Sequence, residues 1–180
     1  MARQFDTLTS QHIEFIEAQK MFFVATSAPE TKINLSPKGL ESFHVVDSTK
    51  VIWLNVTGSG NETAAHVLVN PQMTLMFCAF EGKPMILRIY GAAKCIQRGD
   101  EQWDQYIDLF QHKAGARQIF EVSLEMVQTS CGFGVPLYAF QGPRGMMDKW
   151  AKDKGEEGIK EYWKEKNMIS IDGKPTGMKV

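Results

Sequence analysis

Apolar residues in this chain come in short β-branched and aromatic runs broken by Gly, Pro, Ser and Asn, a pattern that predicts strands joined by tight turns. Met21–Thr26 and Lys32–Leu35 flank Ser27-Ala28-Pro29-Glu30 as a hairpin, and Ser36-Pro37-Lys38-Gly39 leads out of it as a loop. Val51–Val56, Met73–Phe80 and Ile86–Ile96 continue as a meander, with Glu81-Gly82-Lys83-Pro84 as a tight connection, and Gln118–Gln128 returns to strand. Helical spacing shows near the start, where Thr9 or Ser10 precedes Ile13 and Ile16. It shows again after Asp100, which can cap a second long helix with Trp103, Ile107 and Phe110 on its apolar face. Beyond Thr129 the glycines and prolines of CGFGVP and QGPRG introduce a C-terminal arm, residues 130–180, with Ile159, Tyr162 and Trp163 on a charged helix. No repeat or linker divides the chain, so a single domain over residues 1–180 is expected, mainly β with peripheral helices.

Chemistry concentrates in Val51–Phe80, where a strand, a turn, a short helix and a second strand follow without a spare residue. Asn61 or Ser59 can cap the helix, Glu62 suits the positive end of its dipole, and Asn70-Pro71 stops it. Free N–H groups at that start, beside the hydroxyls of Ser59 and Thr63, can seat a phosphate. Most helices capped in this way hold no phosphate at all. Trp53, Asn55 and Thr57 alternate along one strand and therefore share a face. Arg88 stands inside a β run, where a guanidinium is costly unless paired with an acid or an anionic ligand. An ordinary salt bridge or an outward position explains it equally well.

Composition narrows the functional classes. With 180 residues, 43% of them hydrophobic, the chain can bury a core without disulfides or structural metal. Twenty Lys+Arg against twenty-one Asp+Glu leave no net field to attract nucleic acid or an anionic membrane, and neither partner is expected. Cys78, Cys95 and Cys131 are odd in number and lack CxxC spacing, which fits reduced thiols in a cytoplasmic protein and gives no metal site. No signal core or membrane-spanning run is present. A nucleophile elbow, a paired-His motif and a P-loop are all absent, GSGNET lacks the GxGxxG pattern, and Cys131 has no identifiable base.

Three segments carry a family likeness: INLSPKG at Ile33–Gly39, WLNVTGSGNETAAHVLVNP at Trp53–Pro71, and ILRIYGAAKCI at Ile86–Ile96. Together they resemble the FMN-binding split-barrel proteins related to pyridoxamine 5'-phosphate oxidase. The resemblance implies a six-stranded antiparallel split β-barrel and a homodimer with two FMN molecules in clefts between subunits. It implies that Lys38 offers a cation to the phosphate and that Asn34 and Ser36 point toward the ribityl chain or the ring edge. Asn55 and Thr57 would line the pocket, Ser59, Asn61 and Thr63 would neighbour the phosphate, and Arg88 would be the second candidate cation. Glu62 departs from the pattern, because many relatives carry Arg or Lys in this turn. The flavin ring would carry the redox chemistry of an oxidoreductase with an unidentified donor and acceptor, covered by Gly132, Phe133, Trp150 or Trp163. True pyridoxamine phosphate oxidase activity is not expected, since the Arg-x-His-type signature near the C-terminus is missing. The alternative is a non-catalytic ligand-binding or sensing protein using deazaflavin, haem or no cofactor. For haem, His12, His44, His66 and His112 are the available ligands, none in a distinguishing motif.

Overall fold

A computed structural model describes residues 2–39, 41–111 and 114–180. Its centre is one antiparallel sheet of strands β2 (Phe22–Thr26), β3 (Asn34–Lys38), β4 (Phe43–Asp47), β5 (Lys50–Val56), β6 (Gln72–Cys78), β7 (Ile86–Gln97) and β8 (Ala116–Ser130), with β1 (Arg3–Phe5) added beside β8. The spatial order is β3-β2-β6-β7-β8-β5-β4. Strands β3 and β4, consecutive in the chain, are thus the two free edges of the sheet. The sheet nevertheless curls, because the Phe43 ring of β4 meets Phe22 of β2 at 5.1 Å and Phe77 of β6 at 5.0 Å. A barrel left open along one seam satisfies both observations.

Alternation along the strands explains the core. Val24, Leu75, Leu87, Ile89, Trp53, Phe120 and Val122 point to the inside of the curled sheet and are essentially inaccessible. The opposite face of β5, β7 and β8 carries a second cluster, in which Ile52, Leu54, Ile96 and Ile119 receive Trp103 and Phe110 from the region of α3 (Glu101–Ile107). The mainly β, split-barrel architecture is the expected one, with two strands more than the six read from the pattern. Strand β1 has only three residues, and β4 alternates too weakly to stand out against the turns around it.

The helices differ from expectation mainly at their caps. Thr9 caps α1 (Ser10–Ala18), accepting from the His12 amide at 3.3 Å while its own amide donates to His12 Nδ1 at 3.2 Å. Helix α2 (Glu62–Val67) starts at Asn61, and α3 starts at Asp100, yet neither side chain caps its helix. Asp100 instead accepts from the Gln97 amide at 2.8 Å, and α3 is only seven residues long. Helix α4 (Met146–Lys166) breaks at Gly155, whose φ of 66° suits glycine, and buries Ala151, Ile159 and Trp163 with Met178. Among the described residues no helix is long and apolar enough to cross a membrane.

The longest ladder, β7 on β8, contains a bulge: Tyr90 pairs with Met126 but Gly91 with Leu124, leaving Glu125 extra. There a Cβ on residue 91 would overlap the Ser123 carbonyl oxygen and crowd Val122. Gly91→Ala is expected to destabilise the fold by roughly 1–3 kcal/mol. Gly134→Ala, where open space surrounds the added methyl, should be nearly neutral; urea denaturation of both variants checks the contrast.

Candidate functional site

The inner face of β3 carries Asn34, Ser36 and Lys38, because these three alternate with the exposed Leu35 and with Pro37. Pairing places Lys38 opposite the buried Phe22, so its ammonium turns inward and lies 5.1 Å from the centre of the Trp53 ring. Burial, and after it the Arg117 guanidinium, push the Lys38 value down to about 8 against the opposing pull of the Glu62 carboxylate. Arg117, on β8, is only 4% exposed. Its Nη1 donates to the Gly60 carbonyl at 3.1 Å, and burial lowers its value to about 10, again opposed by Glu62.

Two cations are therefore enclosed on one side of the barrel. Among the described residues neither forms an ion pair. Their polar surroundings are also incomplete: Ser36 Oγ, Arg117 Nε and Gln118 Nε2 are buried without a hydrogen-bond partner. Buried donors and positive charge in this excess are what an anionic or strongly accepting ligand would satisfy. Glu62 supplies one negative charge, and its carboxylate folds so closely over Gly60 that a side chain there would collide with it.

Beside this cluster a cavity of about 600 Å³ opens between Lys32–Leu35, the turn residues Ser59, Gly60 and Glu62, and Lys166 with Ile169–Ile171 of the C-terminal loop. The loop is fastened to the rest of the protein. Lys32 Nζ reaches Asp172 at 2.7 Å, and the Ile171 amide donates to Glu62 Oε1 at 3.3 Å. The Lys32 contacts hold the Asp172 carboxyl below the usual carboxylate range.

The predicted residues separate into three groups. Asn34, Ser59 and Glu62 line the cavity, while Ser36 and Lys38 belong to the buried cluster beside it. Asn55, Thr57, Asn61 and Thr63 are occupied within the protein. Asn55 Nδ2 donates to Asn61 Oδ1 at 3.4 Å and to Gln118 Oε1 at 3.3 Å; Asn61 Nδ2 donates to the Asn167 carbonyl at 3.4 Å; and Asn34 Nδ2 donates to Thr63 Oγ1 at 3.0 Å. Thr57 Oγ1 donates to the Gly115 carbonyl and accepts from Trp163 Nε1, both at 2.8 Å. These four side chains build the turn and anchor the arm on it, because an inward-facing polar group in this core must find a partner. Arg88 is not brought to the cluster. It pairs with Met76 and Gln128 on the outer face of the sheet, three strands from β3.

Arg117 and Gln118 are missing from the sequence-derived set. The reasoning applied to Arg88, that a guanidinium inside a β run needs a partner, holds with more force in the run ARQIF. Trp163 is taken into the core, whereas Phe133 is 81% exposed. The histidines are mostly committed elsewhere: His12 completes the α1 cap, His66 Nδ1 pairs with Thr26 Oγ1 at 3.0 Å, and His112 lies outside the described residues. His44 stands at the seam, in the same cavity lining as Lys38.

Comparison with known proteins agrees with this architecture. Residues 8–131 match the family model described as pyridoxamine 5'-phosphate oxidase. The Aspergillus flavus protein ustO, a pyridoxamine 5'-phosphate oxidase family protein, is 32% identical over 191 residues, covering 95% of this chain and 76% of the relative. A Lactobacillus delbrueckii protein provisionally assigned as a pyridoxamine 5'-phosphate oxidase superposes with a TM-score of 0.54 at 16% identity, over 68% of this chain and 94% of its own. HutZ, the haem storage protein of Vibrio cholerae, gives 0.50 at 20% identity, over 66% and 92%. At such identities the structures show the shared fold alone. Because the family model spans well over half the chain and the fungal relative nearly all of it, on a barrel open between β3 and β4, this chain belongs to the pyridoxamine 5'-phosphate oxidase family.

Proposed function

We propose that this chain is an FMN-binding flavoprotein and an oxidoreductase, working as a homodimer. The observation that carries the reading is the pair of buried cations, Lys38 and Arg117, set without ion pairs among orphaned donors beside a cavity in this family's fold. The fit is to an anion with a polar, hydrogen-bonding body. Lys38 and Arg117 would bind the negative charge, and Ser36, Gln118, Asn34 and Ser59 would serve the polar part. When bound, FMN supplies the electron transfer. The protein's own residues hold and orient it, keep a positive field beside it, and exclude water with the C-terminal loop. No protein nucleophile is required. For the second subunit, the exposed apolar side chains Phe133, Leu137, Tyr138 and Phe140 of the arm supply contact surface, and Arg88 on the outer face is the cation available to a partner.

One observation favours a second reading. Glu62 sets a carboxylate close to both cations, and this internal anion would weaken a phosphate dianion or replace it altogether. A non-catalytic member of the family, binding another ligand or none, is the form that reading takes.

Titration with FMN and riboflavin, followed by flavin fluorescence beside a sizing measurement, separates the two. The flavoprotein reading expects a dimer that prefers FMN. Lys38→Ala and Arg117→Ala should each weaken FMN by roughly 1–3 kcal/mol, as expected for charge-assisted partners. Equal affinity for FMN and riboflavin in all three proteins would remove the cations from the site.

Charge at Glu62 gives an independent check. Glu62→Gln deletes a like charge beside the anion and should tighten FMN by roughly tenfold, about 1.4 kcal/mol; an unchanged dissociation constant places Glu62 away from the phosphate.

The Lys38 shift also makes a pH prediction whose sign is fixed. Folding lowers this lysine from 10.5 to about 8, so between those values the unfolded chain holds the extra proton and stability rises with pH. Anion binding runs the other way, since it needs the ammonium. FMN affinity should be greatest below pH 8 and fall as pH rises through that value, and Lys38→Met should flatten the profile.

A further inference from the structure

A second cavity, of about 750 Å³, lies at the open seam and shares Lys38 with the cation cluster described above. Strand β3 separates the two: Lys32–Leu35 wall the first cavity, and Pro37–Gly39 wall the second. Opposite them stand Phe43, His44 and Val45 of β4, while residues 16–22 and Phe140, Pro143, Arg144 and Met147 of the arm close the sides. The two edge strands do not pair, and the cavity between them reaches down to the aromatic core. Phe22, Phe43 and Phe77 form the floor, Phe22 and Phe77 stacked at 5.5 Å and Phe43 set edge-on to both.

Three cations line this cavity, Lys20, Lys38 and Arg144, against two carboxylates, Glu17 and Glu41. The balance is one positive charge. Lys20 and Arg144 are exposed, and Lys20 Nζ lies 5.9 Å from the Phe140 ring, so two of the three cations sit at the mouth while Lys38 and the rings lie deeper. The wall also includes Ser42, whose buried hydroxyl has no partner among the described residues. Size is adequate, since ligand cavities commonly enclose about 300–1,000 Å³.

We propose that the seam cavity binds a small aromatic carboxylate, its ring packed on Phe22, Phe43 and Phe77 and its negative charge turned outward to Lys20 and Arg144. A flat ring suits a floor of stacked and edge-on aromatics. Lys20 and Arg144 supply cations at the rim for a single negative charge, and a guanidinium takes a carboxylate through two parallel hydrogen bonds. The assignment does not depend on flavin binding, because the cations given to the carboxylate, Lys20 and Arg144, are not those given to the flavin, and the two cavities have no wall residue in common.

Isothermal titration of the full chain with phenylacetate and with its neutral isostere phenylacetamide tests the proposal. Phenylacetate should bind, and the amide should bind at least about tenfold more weakly. Lys20→Gln combined with Arg144→Gln should lower phenylacetate affinity about tenfold or more, and both positions are exposed, so the fold is retained. Equal binding of acid and amide overturns the proposal, as does an unchanged affinity in the double variant or no binding of phenylacetate at millimolar concentration. Competitive displacement of phenylacetate by FMN also overturns it, by assigning the cavity to the flavin. Independent, simultaneous binding supports two sites. Loss of FMN binding alone leaves the carboxylate result intact, so failure of the flavin reading is told apart from failure of this one.

Discussion

Burial of Lys38 and Arg117 on the same side of the barrel is the constraint around which the other polar features are arranged. Removing an ammonium or a guanidinium from water is expensive, and two side by side repel each other as well. The protein offsets this with the Trp53 ring, the Gly60 carbonyl and the Glu62 carboxylate, each brought from a different segment of chain. Those offsets require the turn after β5 to hold one shape. That shape is fixed by Asn55, Thr57 and Asn61, which bond to the body of the barrel and to the C-terminal arm. Charge burial, turn geometry and arm docking are consequently a single linked problem.

Sequence reading recovered what depends on local pattern. Six strands, the order of helices and the β5–turn–α2–β6 unit follow from runs and breakers that are read over a few residues. Strand β4 escaped because its partner choice depends on curvature of the whole sheet, and no short window encodes curvature. The candidate set was correct about which segments meet, since β3 and the Ser59–Thr63 turn do face each other across a cavity. Of the two positions left open for Arg88, its place in β7 gives the outward one. Arg117 was missed through unequal treatment of two similar β-strand arginines. Whether a hydroxyl or amide is free or already bonded is a tertiary property, so the internal bonds of Thr57 and Asn61 could not be read from the sequence.

Family membership and site chemistry carry different weight. Fold similarity at 16–20% identity establishes the open barrel and nothing about what it holds. The functional reading rests instead on two buried cations without ion pairs among the described residues and on orphaned donors, which are features of this chain's own residues.

The arm has a consequence for how the protein comes into being. Asn167 donates to the Gly58 carbonyl, Trp163 to Thr57, and Ile169–Ile171 form a wall of the first cavity. A nascent chain on the ribosome can therefore complete its barrel strands by residue 130 and still present the β5 turn bare, with its polar groups facing water. The first cavity gains its last wall only when residues up to Ile171 have emerged, so the pocket is finished after the barrel that carries it.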